Sequence, residues 1–365
     1  CFQKLYAEFG TTEDFNLTGH FKGTLNDFEL QNWRLTGMDR TVVNGNLHFT
    51  DLVDQQKTFE LTGNFEELST NYYDLVNLLP NILGNNLPEK LREIGSANLS
   101  GFLSATPSKV VTNSTITTQL GNANLNLTLD DLNDSDFARY KGNVQFNQFN
   151  LGRLLGNSSL GKATFNLDVD GIGFTQATLN TRLEGTIKKL RFNGYTYTNI
   201  EVLGVLDNPY FNGKLVSKDP NFQFEFNGLA DVSRTQNVYD FKASVAYADL
   251  NALNFVRRDS IAVMKGDIVM KMEGNNLNDA RGELSLNNFS YQNHEELFEF
   301  EELKVISSFD NEIRKIQINS PDVISGEVEG IFNINEVPAL FQNAVGSLYT
   351  NYKPIAIEGN QYLDF

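Results

Sequence analysis

Cysteine is almost missing from this chain: Cys1 stands alone among 365 residues. No intrachain disulfide can staple the fold, and no set of thiolates can hold zinc. Such scarcity fits an exported protein that avoids stray oxidation. Histidine is nearly as rare. His20, His48 and His294 sit in unrelated stretches, and none has a partner at ligand spacing, so they read as solvent-facing and no metal centre is expected. The 8 prolines form no linker. No run reaches the ~18 apolar residues that a spanning helix needs, and no signal-peptide pattern is present. Cations are outnumbered, with 29 Lys and Arg against 46 Asp and Glu and a formal charge of −17. That balance opposes nucleic acid, whose phosphates need clustered cations, and it opposes charge-driven docking on anionic lipid. The pairs at 188–189 and 257–258 are too short to be patches.

Catalytic and cofactor motifs are missing too. There is no nucleophile elbow, no P-loop and no glycine-rich turn leading into a helix. The Gly-x-Gly at 171–173 reads as a turn between strands. The acidic stretch 130–136 places Asp131, Asn133 and Ser135 at the first three ligand positions of a calcium loop. It then puts Asp136 where that loop needs glycine and Gly142 where it needs glutamate. A solvated hairpin loop accounts for it. The chain reads as a non-enzyme without a cofactor.

What the sequence does have is repetition of β patterns. Residues 161–202 and 265–305 share an alternating strand, a short turn, a second strand and two further strand-like runs. Residues 207–233 match 310–335 as turn, strand, polar loop, strand, glycine, strand. Three alternating strands, ending near 79, 155 and 255, each run into a Leu-rich turn of the form DLxxL or NLxxL. The approximate units are 1–79, 80–156, 157–256 and 257–345, with a strand-like tail at 346–365, all within one continuous segment.

Period-two alternation identifies the strands. Leu125, Leu127 and Leu129 alternate with amides and Thr. Phe165, Leu167 and Val169 alternate with Asn166 and Asp168. Phe222, Phe224 and Phe226 alternate with Gln223 and Glu225, and Ile268, Met270 and Met272 with Val269 and Lys271. One apolar and one wet side per strand predicts antiparallel sheets. Turn signals at 85–86, 170–171, 193–194, 212–213 and 275–276 leave no room for crossover helices and suggest about 25–30 strands. Short helices are expected at 67–79, 88–94, 250–257 and 337–349. Glycines such as Gly45, Gly63, Gly185 and Gly228 read as bends or bulges that curl the sheet.

An apolar sheet face must be buried or used. The expectation is an all-β fold, an elongated repetitive antiparallel sheet curled into a U-shaped, taco-like hydrophobic groove with a few short helices. The twelve alternating residues, Leu125 to Leu129, Phe165 to Val169, Phe222 to Phe226 and Ile268 to Met272, are expected to line one common trough. A fused sandwich with a filled core is the structural alternative.

The phrase KDPNFQFEFNG within residues 205–232, together with the strand-plus-turn marker at 248–253, resembles the Bacteroidetes-type translocation and assembly module family, TamB. That family lies within the AsmA-like superfamily of bridge-like β-groove proteins. The likeness is strongest over residues 157–335 and its motifs are structural. The family's inner-membrane anchor and its C-terminal domain have no counterpart here, so the chain is expected to be a middle segment, with Cys1 a segment start rather than a lipidated terminus. The resemblance implies a Gram-negative periplasmic location and an inner-membrane anchor outside this sequence. It implies phospholipid acyl chains as cargo, and as partner a BamA-like outer-membrane barrel (TamA or a relative) reached through other regions. It implies lipid transport between membranes in support of outer-membrane biogenesis and protein assembly. The other reading is a structural scaffold or chaperone for outer-membrane strands, with a closed β core.

Overall fold

The computed structural model describes residues 15–51, 59–78, 89–132, 134–175, 177–207, 210–232, 235–348, 351–357, 359 and 361–364. It divides into two compact units, Cys1–Asn208 and Pro209–Phe365. The division falls inside the third sequence repeat, at a point with no linker signature.

The first unit is a meander of eleven strands: β1 (Phe15–Thr24), β2 (Asp27–Gly37), β3 (Thr41–Thr50), β4 (Glu60–Asn71), β5 (Ser96–Ala105), β6 (Lys109–Thr118), β7 (Asn122–Asp130), β8 (Arg139–Asn150), β9 (Leu160–Ile172), β10 (Asn180–Phe192) and β11 (Tyr195–Asp207). Each pairs antiparallel with the next. Among the described residues no pairing joins β1 to β11, so the sheet is open and not a barrel. The second unit continues with β12 (Tyr210–Asp219), β13 (Phe222–Asp231), β14 (Val238–Asp249), β15 (Val263–Glu273), β16 (Arg281–Gln292), β17 (Leu297–Asp310), β18 (Ile313–Asn319), β19 (Ser325–Ile331) and β20 (Tyr362–Asp364). These also pair in chain order, antiparallel throughout.

Among the described residues twenty strands form, many of them ten or more residues long. Residues 170–171 and 212–213 do not turn; they lie within β9 and β12. Turns do occur at Asn193-Gly194, with φ of 47° and 83°, the pair of positive values a tight I′ hairpin needs. The turn expected at 85–86 lies outside the described residues.

Helices follow two of the three Leu-rich markers, and a third helix lies near the end of the second unit. Helix α1 (Tyr72–Leu78) follows β4, α2 (Leu151–Leu155) follows β8, and α3 (Val337–Gly346) follows β19 after a 3-10 turn at Ile334–Glu336. A further 3-10 helix covers Glu89–Ile94. At α2 the Asn150 side chain accepts the Arg153 N–H at 3.1 Å, and Gly156 closes the end in the left-handed conformation. Residues 250–257 form turns instead of the expected helix. Asp249 accepts the N–H groups of Asn251 and Ala252, as a helix cap does. Asn254 then takes φ 65°, and the Asn251 amide is drawn off to the carbonyls of Val256 and Asp259, which stops propagation. Residues 67–71 belong to β4, so α1 starts later than expected.

Candidate functional site

Directly opposed residues in antiparallel strands project to the same face. The registers therefore trace rows across each sheet. In the first unit one row runs Trp33, Gly45, Phe65, Gly101, Ser114, Leu125, Val144, Leu167, Gly185, Val202 from β2 to β11. A parallel row carries Leu47, Leu103, Leu127, Val169 and Leu183. A third carries Leu68, Leu99, Ile116, Phe146, Phe165 and Ile187. A fourth includes Phe49, Leu61, Val110 and Leu129. Four rows two residues apart make an apolar strip about 20 Å wide. Its best-buried part is at Phe28, Leu30, Val43, Leu47 and Phe65.

Glycines bend this strip. Gly45 and Gly185 take φ of 155° and 146°. That extended mirror region is open almost only to glycine. A Cβ at either position would lie 2.2 Å from a carbonyl oxygen on the neighbouring strand, that of Asn64 or Asn166. Bulges between Ile187 and Lys189 and between Phe146 and Phe149 add further bend.

The second unit repeats the design. Gly228, Phe241, Met270, Leu284, Val305 and Ile318 form one row, and Phe226, Ala243, Ile268, Leu286 and Leu303 the next. Rings pack along the face, with Phe222 on Phe224 at 4.5 Å and Phe226 beside Phe241 at 5.0 Å.

The twelve residues singled out from sequence thus fall into two groups. Leu125, Leu127, Leu129, Phe165, Leu167 and Val169 share a face in the first unit, and Phe222, Phe224, Phe226, Ile268, Met270 and Met272 share one in the second. Leu167 is buried and the other eleven are half-buried, while Asn126, Asn166, Asp168, Gln223, Glu225 and Lys271 are exposed. Thr128 and Val269, on the opposite parity, are half-buried too. The wet side carries amide and ion pairs such as Lys141 to Asp170 at 2.8 Å.

Sequence reading missed the partners that complete these rows, Trp33, Phe65, Phe241 and Val305 among them. It also missed Arg314. That residue shares the parity of Ile316 and Ile318 on β18, so its inward direction was readable from alternation. Arg314 is 3% exposed. Its Nε donates to Ser307 Oγ at 3.1 Å, Nη1 to the Leu277 carbonyl at 2.9 Å, and Nη2 to the Ala280 carbonyl at 3.2 Å. The guanidinium lies 5.3 Å from the centre of the Phe309 ring and 5.9 Å from that of Phe332. Burial pulls its pKa below the ordinary arginine value, and the field of Asp279 opposes that shift. Arg314 lines a cavity of about 610 Å³ with Met270, Met272, Leu284, Ile316 and Phe332.

Among the described residues no group of three or more His, Cys, Asp or Glu could hold a metal ion. In the calcium-like stretch, Asp136 accepts the hydroxyls of Thr175 and Thr178 at 3.0 and 3.3 Å, which ties two loops together; Asn133 lies outside the described residues. No helix of the described residues is long and apolar enough to cross a membrane. No protein-family model, curated protein or solved structure matches this chain.

Proposed function

We propose that the apolar face of each unit binds acyl chains, and that the chain serves as a segment of a periplasmic phospholipid conduit of the TamB kind. The observation that carries the reading is the pairing of predominantly apolar rows with incomplete burial. In a filled sandwich these residues would be buried, yet eleven of the twelve are half-buried. Each methylene that leaves water for such a face gains roughly 0.8 kcal/mol, and a headgroup can stay in solvent. Rows of similar side chains give no single deep well, so a chain can slide with small barriers. No catalytic group is required. The resemblance at residues 205–232 supports the same reading and supplies the partner, a BamA-like barrel met through regions outside this sequence.

The test is lipid extraction and mass spectrometry of the purified chain and of Phe224→Asp and Met270→Lys, with Lys271→Asp on the wet side as control. Phospholipid is expected with the parent and the control. Both floor variants should lose it while melting near the parent temperature. Stable floor variants with unchanged lipid would overturn the proposal. Global unfolding of both would point to a filled core and to the scaffold function for outer-membrane strands.

A further inference from the structure

Arg314, a charged side chain buried on the apolar parity of the second unit's sheet, has no carboxylate within ion-pair distance among the described residues. An uncompensated charge is costly to bury, and Arg314 is offset here by the faces of the Phe309 and Phe332 rings and by neutral oxygens. Leu277 and Ala280 supply two of these from the β15–β16 turn, Asn278 a longer contact at 3.4 Å, and Ser307 the fourth. Four of the five N–H groups a guanidinium owns are engaged, which leaves one on Nη2 without an acceptor among the described residues. Asp279 is held elsewhere, accepting the backbone N–H groups of Asn275 and Asn276 at 2.9 and 2.8 Å. Glu273, the one carboxylate lining the cavity, is exposed.

Apart from Glu273, Asn275, Asn276 and Ser307, the cavity beside this cation is lined mainly by apolar side chains. Met270, Met272 and Leu284 come from β15 and β16, Val305 and Ile316 from β17 and β18, and Phe332 stands just past β19. Its volume of about 610 Å³ falls within the range of small-molecule sites, roughly 300–1,000 Å³. A neutral alkane would leave the charge unanswered, and a cationic amphiphile would be repelled. A phospholipid would have to bring a bulky headgroup to a guanidinium that is itself buried. The complement of one buried guanidinium beside an apolar cavity is a single alkyl chain ending in a small anion.

We infer that this cavity is a binding site for a fatty carboxylate, with the alkyl chain along Met270, Met272 and Leu284 and the carboxylate at Arg314. The inference rests on the reading that the apolar face accepts acyl chains, and it adds a station that selects head charge.

Titration calorimetry on the full chain tests it with chain-matched probes below their micelle thresholds: dodecanoate, dodecanol and dodecyltrimethylammonium. Dodecanoate should bind at least tenfold more tightly than dodecanol, and the ammonium weakest. Arg314→Met should abolish the preference for dodecanoate over dodecanol, and Arg314→Lys should keep part of it. Equal affinity for dodecanoate and dodecanol in the parent chain, or a preference that survives Arg314→Met, would overturn the assignment to Arg314 and leave acyl binding intact. Absence of binding by all three would remove acyl binding from this cavity as well. The ranking of the three probes on the parent chain decides the matter even where Arg314→Met fails to fold.

Discussion

Gly185→Ala is the sharpest test of how the strip is bent. Gly185 sits in the first unit's central row between Leu167 and Val202, at φ 146°. A Cβ there meets the Asn166 carbonyl oxygen at 2.2 Å and the Leu167 Cα at 3.1 Å. Two costs follow. Holding a non-glycine residue in this backbone region costs about 1–3 kcal/mol. Opening the neighbouring strand to admit the methyl costs a further ~1–3 kcal/mol, as for an overpacked core. The sum, about 2–6 kcal/mol, compares with a typical domain stability of ~5–15 kcal/mol. The comparison variant is Gly156→Ala at the α2 cap. It has φ 68° and nothing within 4 Å of the added Cβ, so only the left-handed penalty of roughly 1–2 kcal/mol applies. Trp33 is the single tryptophan of the chain and lies in the same row. Its fluorescence in a urea titration therefore reports on the first unit. Gly185→Ala should lower the midpoint more than Gly156→Ala, by at least ~1 kcal/mol at constant slope. Equal shifts would refute the argument that the close approach of the Asn166 carbonyl is what demands glycine.

Phe65 is buried at 6% exposure against Val43 and Leu47, so Phe65→Ala should cost about 3–5 kcal/mol by the same fluorescence assay. Lys141→Ala should cost no more than about 1 kcal/mol, a difference that shrinks in high salt, because its partner Asp170 is also exposed. Asp259 gives an acid-side signature. The Arg258 guanidinium meets both its oxygens at 3.0 Å and the Tyr291 hydroxyl donates at 3.2 Å, holding the carboxyl below its usual range. A lowered folded pKa stabilises fully above the unfolded value of about 3.9 and is lost as pH falls through the folded one. Thermal melts of Asp259→Asn from neutral pH downward should lie below the parent at neutral pH and converge on it in acid. A constant gap would show that the carboxyl's ionisation is not what matters.

The all-β antiparallel class was legible because alternation at 222–226 and 268–272 leaves no other element. The polar residues between, such as Glu225 and Lys271, fix which side is wet. Registers were not legible. They depend on bulges such as that between Val245 and Ala248, which leave only weak traces in composition. Asp170-Gly171 has turn chemistry yet lies inside β9, where Gly171 pairs with both Tyr140 and Thr181. The helix at 337–346 was readable but not one at 250–257, where Asn254 and the Asn251 amide overrule a helical composition. The division at 208–209 has no signal in composition at all. Arg314 hid in a charged stretch, and only its parity with two isoleucines marks it as inward.

Chain-order pairing has a consequence for how this molecule can change length. Within each unit every described strand pairs with the next, and most are joined by short loops, with the longest connections from β4 to β5 and from β19 to β20, so most hairpins close on an edge already formed and the entropic cost of adding one is small. Insertion or loss of two successive strands returns the chain running the same way, with the same parity facing the apolar side. Insertion of one strand reverses every strand after it. A family of such sheets can thus grow or shrink by hairpins, but not by single strands.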